Sequence, residues 1–126
     1  MIYRVRIIFD NDKDILRDIE LESSINLEKF HKIILKSFGI VGNELASFYK
    51  SNERWEFNEE IPLVNFEKKS QTMESIKISS ILTLKKNKLL YVYDYLNLNT
   101  FFIELVEICE TIPNTKYPNI IFSEGE

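Results

Sequence analysis

Ile2-Tyr3-Arg4-Val5-Arg6-Ile7-Ile8-Phe9 is followed, after the loop Asp10-Asn11-Asp12-Lys13-Asp14, by Ile15-Leu16-Arg17-Asp18-Ile19-Glu20-Leu21-Glu22. Both runs alternate. In the first, Tyr3, Val5, Ile7 and Phe9 share one face while Arg4 and Arg6 take the other. In the second, Ile15, Ile19 and Leu21 lie opposite Asp18, Glu20 and Glu22. A period of two marks a strand with one buried face, and a turn-rich loop between two such runs predicts an antiparallel hairpin. Folding about that loop sets Arg4 near Glu20 and Arg6 near Asp18. Opposite charges across neighbouring strands then support the register that the apolar face demands. The charged side reads as a solvated outer face.

The next segment predicts a helix laid across the apolar side of this hairpin. Asn26 is a good N-cap, Glu28 suits the positive end of the helix dipole, and Gly39 suits the C-terminal cap. Leu27, Phe30, Ile34 and Phe38 form a stripe at helical spacing, widened by Ile33 and Leu35, with Glu28, Lys29, Lys32 and Lys36 on the exposed side.

Farther along, Ala46 to Tyr49 reads as a strand and Arg54 to Phe57 as another short one around Trp55. Glu59-Glu60-Ile61-Pro62-Leu63 reads as a turn entering extended chain, and Glu67 to Glu74 as a polar loop. Ser79 is expected to cap a short helix to about Leu84, with Ile81, Leu82 and Leu84 turned inward, ended by Lys85-Lys86-Asn87-Lys88. Leu89–Tyr95 and Phe101–Ile108 are nearly continuous in apolar and aromatic residues, as central strands are, with Leu96-Asn97-Leu98-Asn99 turning between them. The expected fold class is α+β: a mixed sheet with an N-terminal hairpin, one crossing helix, a short second helix and a C-terminal hairpin, β-grasp-like in its opening. One domain is expected over residues 1–112, followed by a polar tail over 113–126. Within the tail, Asn119-Ile120-Ile121-Phe122 is apolar enough to add to a sheet edge, by default that of its own domain.

Composition narrows the function classes. The chain has 126 residues, 44% hydrophobic and 13% aromatic, too apolar for a disordered segment. Its net charge is −4 and its pI about 5.2, without the basic surplus usual in proteins that wrap duplex DNA. No apolar run approaches the ~18–20 residues that cross a bilayer, and the arginines of the first strand are unlike a signal peptide. With the single cysteine Cys109, no disulfide framework exists. The expectation is a cytoplasmic protein that does not engage membranes.

Several stretches carry a family resemblance. They are Tyr3-Arg4-Val5-Arg6-Ile7, the helix Leu27-Glu28-Lys29-Phe30-His31-Lys32-Ile33-Ile34 ending at Phe38-Gly39, Ser47-Phe48, Ile78-Ser79-Ser80-Ile81-Leu82, and Leu90-Tyr91-Val92-Tyr93-Asp94-Tyr95. In these the chain resembles the plasmid pRiA4b ORF-3-like family, whose members also occur as passenger proteins of insertion elements. The resemblance implies a mixed α+β fold and no established activity. It also shows departures: Leu96, Asn97, Asn99 and Phe101 stand where the family pattern has glycine, aspartate, tryptophan and histidine. Glu44 and Ala46 stand where histidines often precede the Ser-Phe pair. The branch resembles one that has lost polar chemistry.

Candidate sites are few. His31, the only histidine, lies beside the buried stripe and is expected to be satisfied by one hydrogen bond. One histidine with one cysteine cannot supply the three or four ligands of a zinc site, so no metal or other cofactor is expected. Cys109 lacks a CxxC partner and is expected to be an inert thiol. Glu59-Glu60 and Glu104/Glu107 have no signature spacing and read as surface charge. Asp94, flanked by Tyr93 and Tyr95, suits a turn-capping role first and a binding role second. Lys85, Lys86 and Lys88, with Tyr91, Tyr93 and Tyr95 nearby, make the most nucleic-acid-like feature, since lysines beside stacking aromatics suit single strands. The reading is a non-enzymatic protein-interaction module, its partner another protein. The alternatives are a nucleic-acid-associated accessory protein of a mobile element and a degenerate small-ligand-binding fold.

Overall fold

The two alternating runs pair as β1 (Ile2–Phe9) and β2 (Ile15–Glu22), with Arg4 opposite Glu20 and Arg6 opposite Asp18. This is seen in a computed structural model that describes residues 1–13, 15–65 and 71–125. Arg4 bonds Glu20 at 2.8 Å and, from its other terminal nitrogen, Glu107 at 2.6 Å. Arg6 forks onto both oxygens of Asp18 at 2.8 and 2.9 Å. The charged face therefore fixes the register by geometry as well as by pattern.

Helix α1 (Leu27–Ser37) begins where the Asn26 side chain accepts the Lys29 N–H at 2.8 Å. It ends in a Schellman turn: Gly39 takes φ +68°, its N–H reaches Lys36 O at 3.2 Å, and the Ile40 N–H reaches Leu35 O at 2.8 Å. Leu27, Phe30, His31 and Ile34 are buried against the sheet. Phe30 stacks on Phe48 with ring centroids 5.4 Å apart.

The remaining elements are β3 (Ala46–Lys50), β4 (Glu60–Pro62), a 3-10 turn (Met73–Ser75), α2 (Ile78–Ile81), β5 (Lys88–Tyr93), β6 (Asn99–Cys109) and β7 (Asn119–Glu124). The strands form one sheet in the order β4-β3-β5-β6-β1-β2-β7. The protein is thus α+β, with a seven-stranded sheet and two helices among the described residues. A mixed sheet was expected, but each neighbouring pair is antiparallel. The reason is topological: β6 returns directly from β5 and enters between β5 and β1, so it opposes both. Its eleven residues make it the spine of the sheet. Val5, Ile7, Ile19, Phe48, Tyr91, Phe101 and Ile103 line the helix-facing side, all but fully buried.

Other expectations need correction. Arg54–Phe57 forms no strand; Trp55 sits at φ +56°, which a ladder cannot hold, and the short strand lies later, at β4. The second helix starts at Ile78 after Lys77, so Ser79 lies inside it, and it stops at Ile81. Leu82 is buried as expected, whereas Leu84 lies beyond the helix and is exposed. The late strands run Lys88–Tyr93 and Asn99–Cys109, shifted from the expected bounds. Of the loop expected over 67–74, residues 67–70 lie outside the described residues, and Met73 is buried in the 3-10 turn. Asp14 and Glu126 lie outside them too. The apolar piece of the tail, as β7, pairs with β2 of its own chain. Arg17 helps hold it: its guanidinium lies 5.1 Å from the Phe38 ring centre, Nε donates to Ser37 O at 3.0 Å, and Nη1 to Glu124 O at 3.2 Å.

Candidate functional site

The residues singled out on β5 part company at Asp94. Tyr91 and Tyr93 point toward the helix and are buried. The Tyr91 hydroxyl meets His31 Nδ1, and the Tyr93 hydroxyl accepts the Glu44 N–H at 3.1 Å. Strand alternation would send residue 95 the same way. Asp94, however, takes φ +67°, a conformation that Asp tolerates better than most residues. Its carboxylate accepts the Leu96 N–H at 3.1 Å and the Asn97 amide at 2.6 Å. The Asn97 bond, first among the causes, holds the Asp94 carboxyl below its ordinary pKa. The reversal delivers Tyr95 to the outer face of the sheet.

There Tyr95 borders an open cleft of about 350 Å³ lined by Tyr49, Phe57, Glu60, Val92, Leu98 and Thr100. The elements explain the placement. Phe48 faces the helix, so its strand neighbours Ser47 and Tyr49 face outward. β4 sets Glu60 opposite Tyr49. The segment between β3 and β4 folds back over this face, where Phe57 meets Tyr49 edge to face at 5.0 Å and Trp55 meets Phe102 at 5.1 Å. Phe57 and Leu98 are left exposed.

A hydroxyl relay ties the walls together. Ser47 Oγ lies 2.5 Å from Glu60 Oε2 and 2.6 Å from the Tyr95 hydroxyl. A carboxylate only accepts, so the one Ser47 hydrogen goes to Glu60 and Tyr95 donates to Ser47. Burial, then the neighbouring Glu60 carboxylate, pushes the Tyr49 phenol above its ordinary pKa. The arrangement is a rigid, aromatic, negatively charged recess. Its hydroxyl–carboxylate pair, Ser47 with Glu60, has the Ser47 side chain fully buried.

The lysines lie elsewhere. Lys85 and Lys86 are exposed beside a second open depression of about 360 Å³, shared with Lys50, Lys88 and Glu53. Lys88 bonds both Glu53 oxygens at 3.1 Å and lies 5.6 Å from the Trp55 ring centre, while Lys50 pairs with Glu59 at 3.0 Å. Tyr91 and Tyr93 are in the core and Tyr95 lies beyond the opposite end of β5. The structure does not bring the lysines and these tyrosines together.

His31 packs against Tyr91 and Tyr93, with burial lowering its pKa. Cys109 is half-buried at the far end of β6, opposite Ile2; burial, then Glu107, raises its thiol. Tyr91, under His31, is paired with Phe101, eight residues from Cys109 along β6, or about 27 Å at strand spacing. The two do not form a nucleophile–base pair. Glu107 pairs with Arg4, and Glu104 stands opposite Arg6 and Lys88. Among the described residues no three His, Cys, Asp or Glu side chains converge as metal ligands, and no helix is long and apolar enough to cross a membrane.

The plasmid pRiA4b ORF-3-like protein family matches residues 1–126. The chain belongs to that family. The match takes in β7 as well as the segments whose resemblance was legible in the sequence. Among solved structures, the crystal structure of a protein of unknown function, MM3350, from Methanosarcina mazei Go1 resembles this ORF-3-like chain with a TM-score of 0.86. Sequence identity is 19%, over 97% of this chain and 68% of that one. At that identity the likeness concerns the fold alone. No curated protein matches the sequence. The departures from the family pattern fall around one end of the sheet. Phe101 stacks on Phe9 in the core at 4.6 Å, Ala46 is buried opposite Tyr93, and Leu96 is the fully exposed tip of the turn after Asp94.

The cleft residues Ser47, Tyr49, Phe57, Glu60, Leu98 and Thr100 were not legible as a site. Three carried a faint signal. Ser47 and Tyr49 flank a core Phe in a strand, and Glu60 precedes an Ile-Pro pair that only an edge strand accepts.

Proposed function

We propose that this ORF-3-like protein is a non-enzymatic interaction module of the cytoplasm, its protein partner docking on the outer face of the sheet at the aromatic cleft. The β-grasp-like comparison belongs to this reading too, restricted to the opening hairpin and its crossing helix. The observation that carries the proposal is the cleft itself. Phe57, Leu98 and Leu96 stay exposed around a recess whose walls are fixed by the Tyr95–Ser47–Glu60 relay. Exposed apolar groups around prepared polar ones mark binding surfaces more than solvated ones. Nucleophilic chemistry would need an attacking group open to the cleft, and Ser47, the hydroxyl bonded to Glu60, is fully buried behind the relay.

A second reading has its own observation, the exposed Lys85 and Lys86 beside the second depression, which suits nucleic acid in an accessory protein of a mobile element. Glu53 and Glu59 neutralise the two neighbouring lysines, which weakens it.

The test is affinity purification from native cells with nuclease, comparing the parent protein with Phe57→Ser/Leu98→Ser and with Lys85→Glu/Lys86→Glu. A stoichiometric partner lost only with the cleft variant supports the proposal. Recovery that depends on nucleic acid and on Lys85 and Lys86 replaces it with the second reading.

A further inference from the structure

Among the described residues, three aromatic side chains and one carboxylate border the cleft, and no basic residue does. Two carboxylates of the segment that leads into β4, outside the cleft, already hold cations: Glu59 holds Lys50, and Glu53, at the second depression, holds Lys88. Glu60 has no cation among the described residues; one of its oxygens takes the Ser47 hydroxyl, which fixes the group without neutralising it. Aromatic faces attract cations through their quadrupoles, most strongly where water is displaced. The Tyr49 and Phe57 rings meet edge to face at 85°, so the ring that presents its edge keeps its own faces free of the contact. With one Glu60 oxygen taken by Ser47, no two-oxygen carboxylate is left to receive the fork of a guanidinium, so a compact ammonium fits the cleft better.

We propose that the cleft is a cation cage that receives the alkylammonium head of a lysine side chain, methylated or not, presented by a basic segment of a protein partner. The inference rests on the outer-face docking reading above and adds the chemistry of what docks. Tyr49, Phe57 and Tyr95 supply the ring faces, Glu60 the counter-charge, and Val92, Leu98 and Thr100 the wall along the methylene stem. The net charge of −4 draws a basic segment toward the protein before contact. Tyr95 and Glu60 are held by Ser47 ahead of binding, so little ordering is required when the lysine enters.

Amide chemical shifts of the labelled protein, followed on titration, test this directly. The probes are a short acetylated peptide bearing lysine, the same peptide bearing trimethyllysine, its neutral tert-butyl isostere, and free tetramethylammonium. Both cationic peptides should shift the amides of Tyr49, Phe57, Glu60, Tyr95 and Thr100. The isostere should bind at least ~5-fold more weakly, the factor expected of a modest cation–π contribution. Glu60→Gln keeps an acceptor for Ser47, and should weaken the cationic peptides ~5-fold while leaving the isostere unchanged. Equal binding of isostere and cation, indifference to Glu60→Gln, or no shifts at the cleft would overturn the cage. Free tetramethylammonium binding as tightly as the peptide would overturn the assignment to a polypeptide lysine. Those results leave the docking face standing if the copurified partner still depends on Phe57 and Leu98. If it does not, the docking reading fails as well.

Discussion

Lowering the pH from 7.5 to 5.0 should destabilise the protein through one side chain. His31 is the sole histidine, and burial lowers its pKa from 6.5; Glu28 and Lys32, its charged neighbours on the helix, act in opposite directions and more weakly. The unfolded chain therefore takes up a proton near pH 6.5 that the folded chain refuses. The stabilising contribution is complete above pH 6.5 and is lost as pH falls toward the depressed folded value, by up to ~1.4 kcal/mol per pH unit inside that window. Burial also pushes the Tyr91 phenol far above its ordinary pKa, so Tyr91 keeps its proton, and with the neutral imidazole protonated on Nε2 the hydroxyl donates to His31 Nδ1. A proton on Nδ1 removes that acceptor. Tyr91→Phe should cost about 1–3 kcal/mol at pH 7.5, because it strands a buried nitrogen. Urea unfolding at several pH values, for the parent, Tyr91→Phe and His31→Gln, measures both effects. The parent's midpoint should fall with pH at constant slope, and His31→Gln should flatten the dependence. Parallel curves for parent and His31→Gln would refute the argument.

Further outcomes follow from tight places in the fold. A Cβ on Gly42 would lie 2.7 Å from the Tyr93 hydroxyl, at a φ of +152°, so Gly42→Ala should cost about 1–3 kcal/mol. Tyr93→Phe removes the clashing oxygen, so the double variant should lose less than the sum of the singles in denaturant titrations; strict additivity would contradict the contact. At Asp94 the melting temperature should fall most for Ala, which lacks both side-chain bonds and resists the left-handed backbone, and least for Asn, with Gly between. A melting series in which Ala equals Asn would show that the turn does not depend on that carboxylate.

The opening hairpin was legible to the residue because two independent signals, apolar alternation and opposed charges, demanded the same register. The helix was legible because Asn26 and Gly39 bracket its stripe. The second strand pair was legible in order, though its ends were displaced: Asp94 breaks the strand by a backbone angle, which an aromatic run conceals. β4 was missed because Glu60-Ile61-Pro62 has poor strand propensity and forms only as an edge, where Pro62 needs no donor. Arg54–Phe57 looks like a strand because Trp55 and Phe57 alternate with charged residues, but they reach the sheet from a loop, Trp55 half-buried and Phe57 exposed. Ser79 looked like a cap because hydroxyls favour caps; the helix starts earlier because the Ile78 N–H is already taken by Ile25 O at 2.9 Å. The cleft could not be read because its walls come from strands, a loop and a turn far apart in the chain.

The side of the sheet away from the helix carries a division of labour. Phe30, Phe48, Tyr91 and Phe101 interlock on the helix side, where a change in one volume is felt by the others. The cleft takes Tyr49, Val92 and Thr100 from β3, β5 and β6, but Glu60, Phe57, Tyr95 and Leu98 come from a three-residue edge strand, the segment leading to it and one turn. Exchanging a few residues at 55–60 and 95–98 would retarget the recess while the scaffold refolds as before. A chain built this way can diversify what it holds faster than it diversifies its shape.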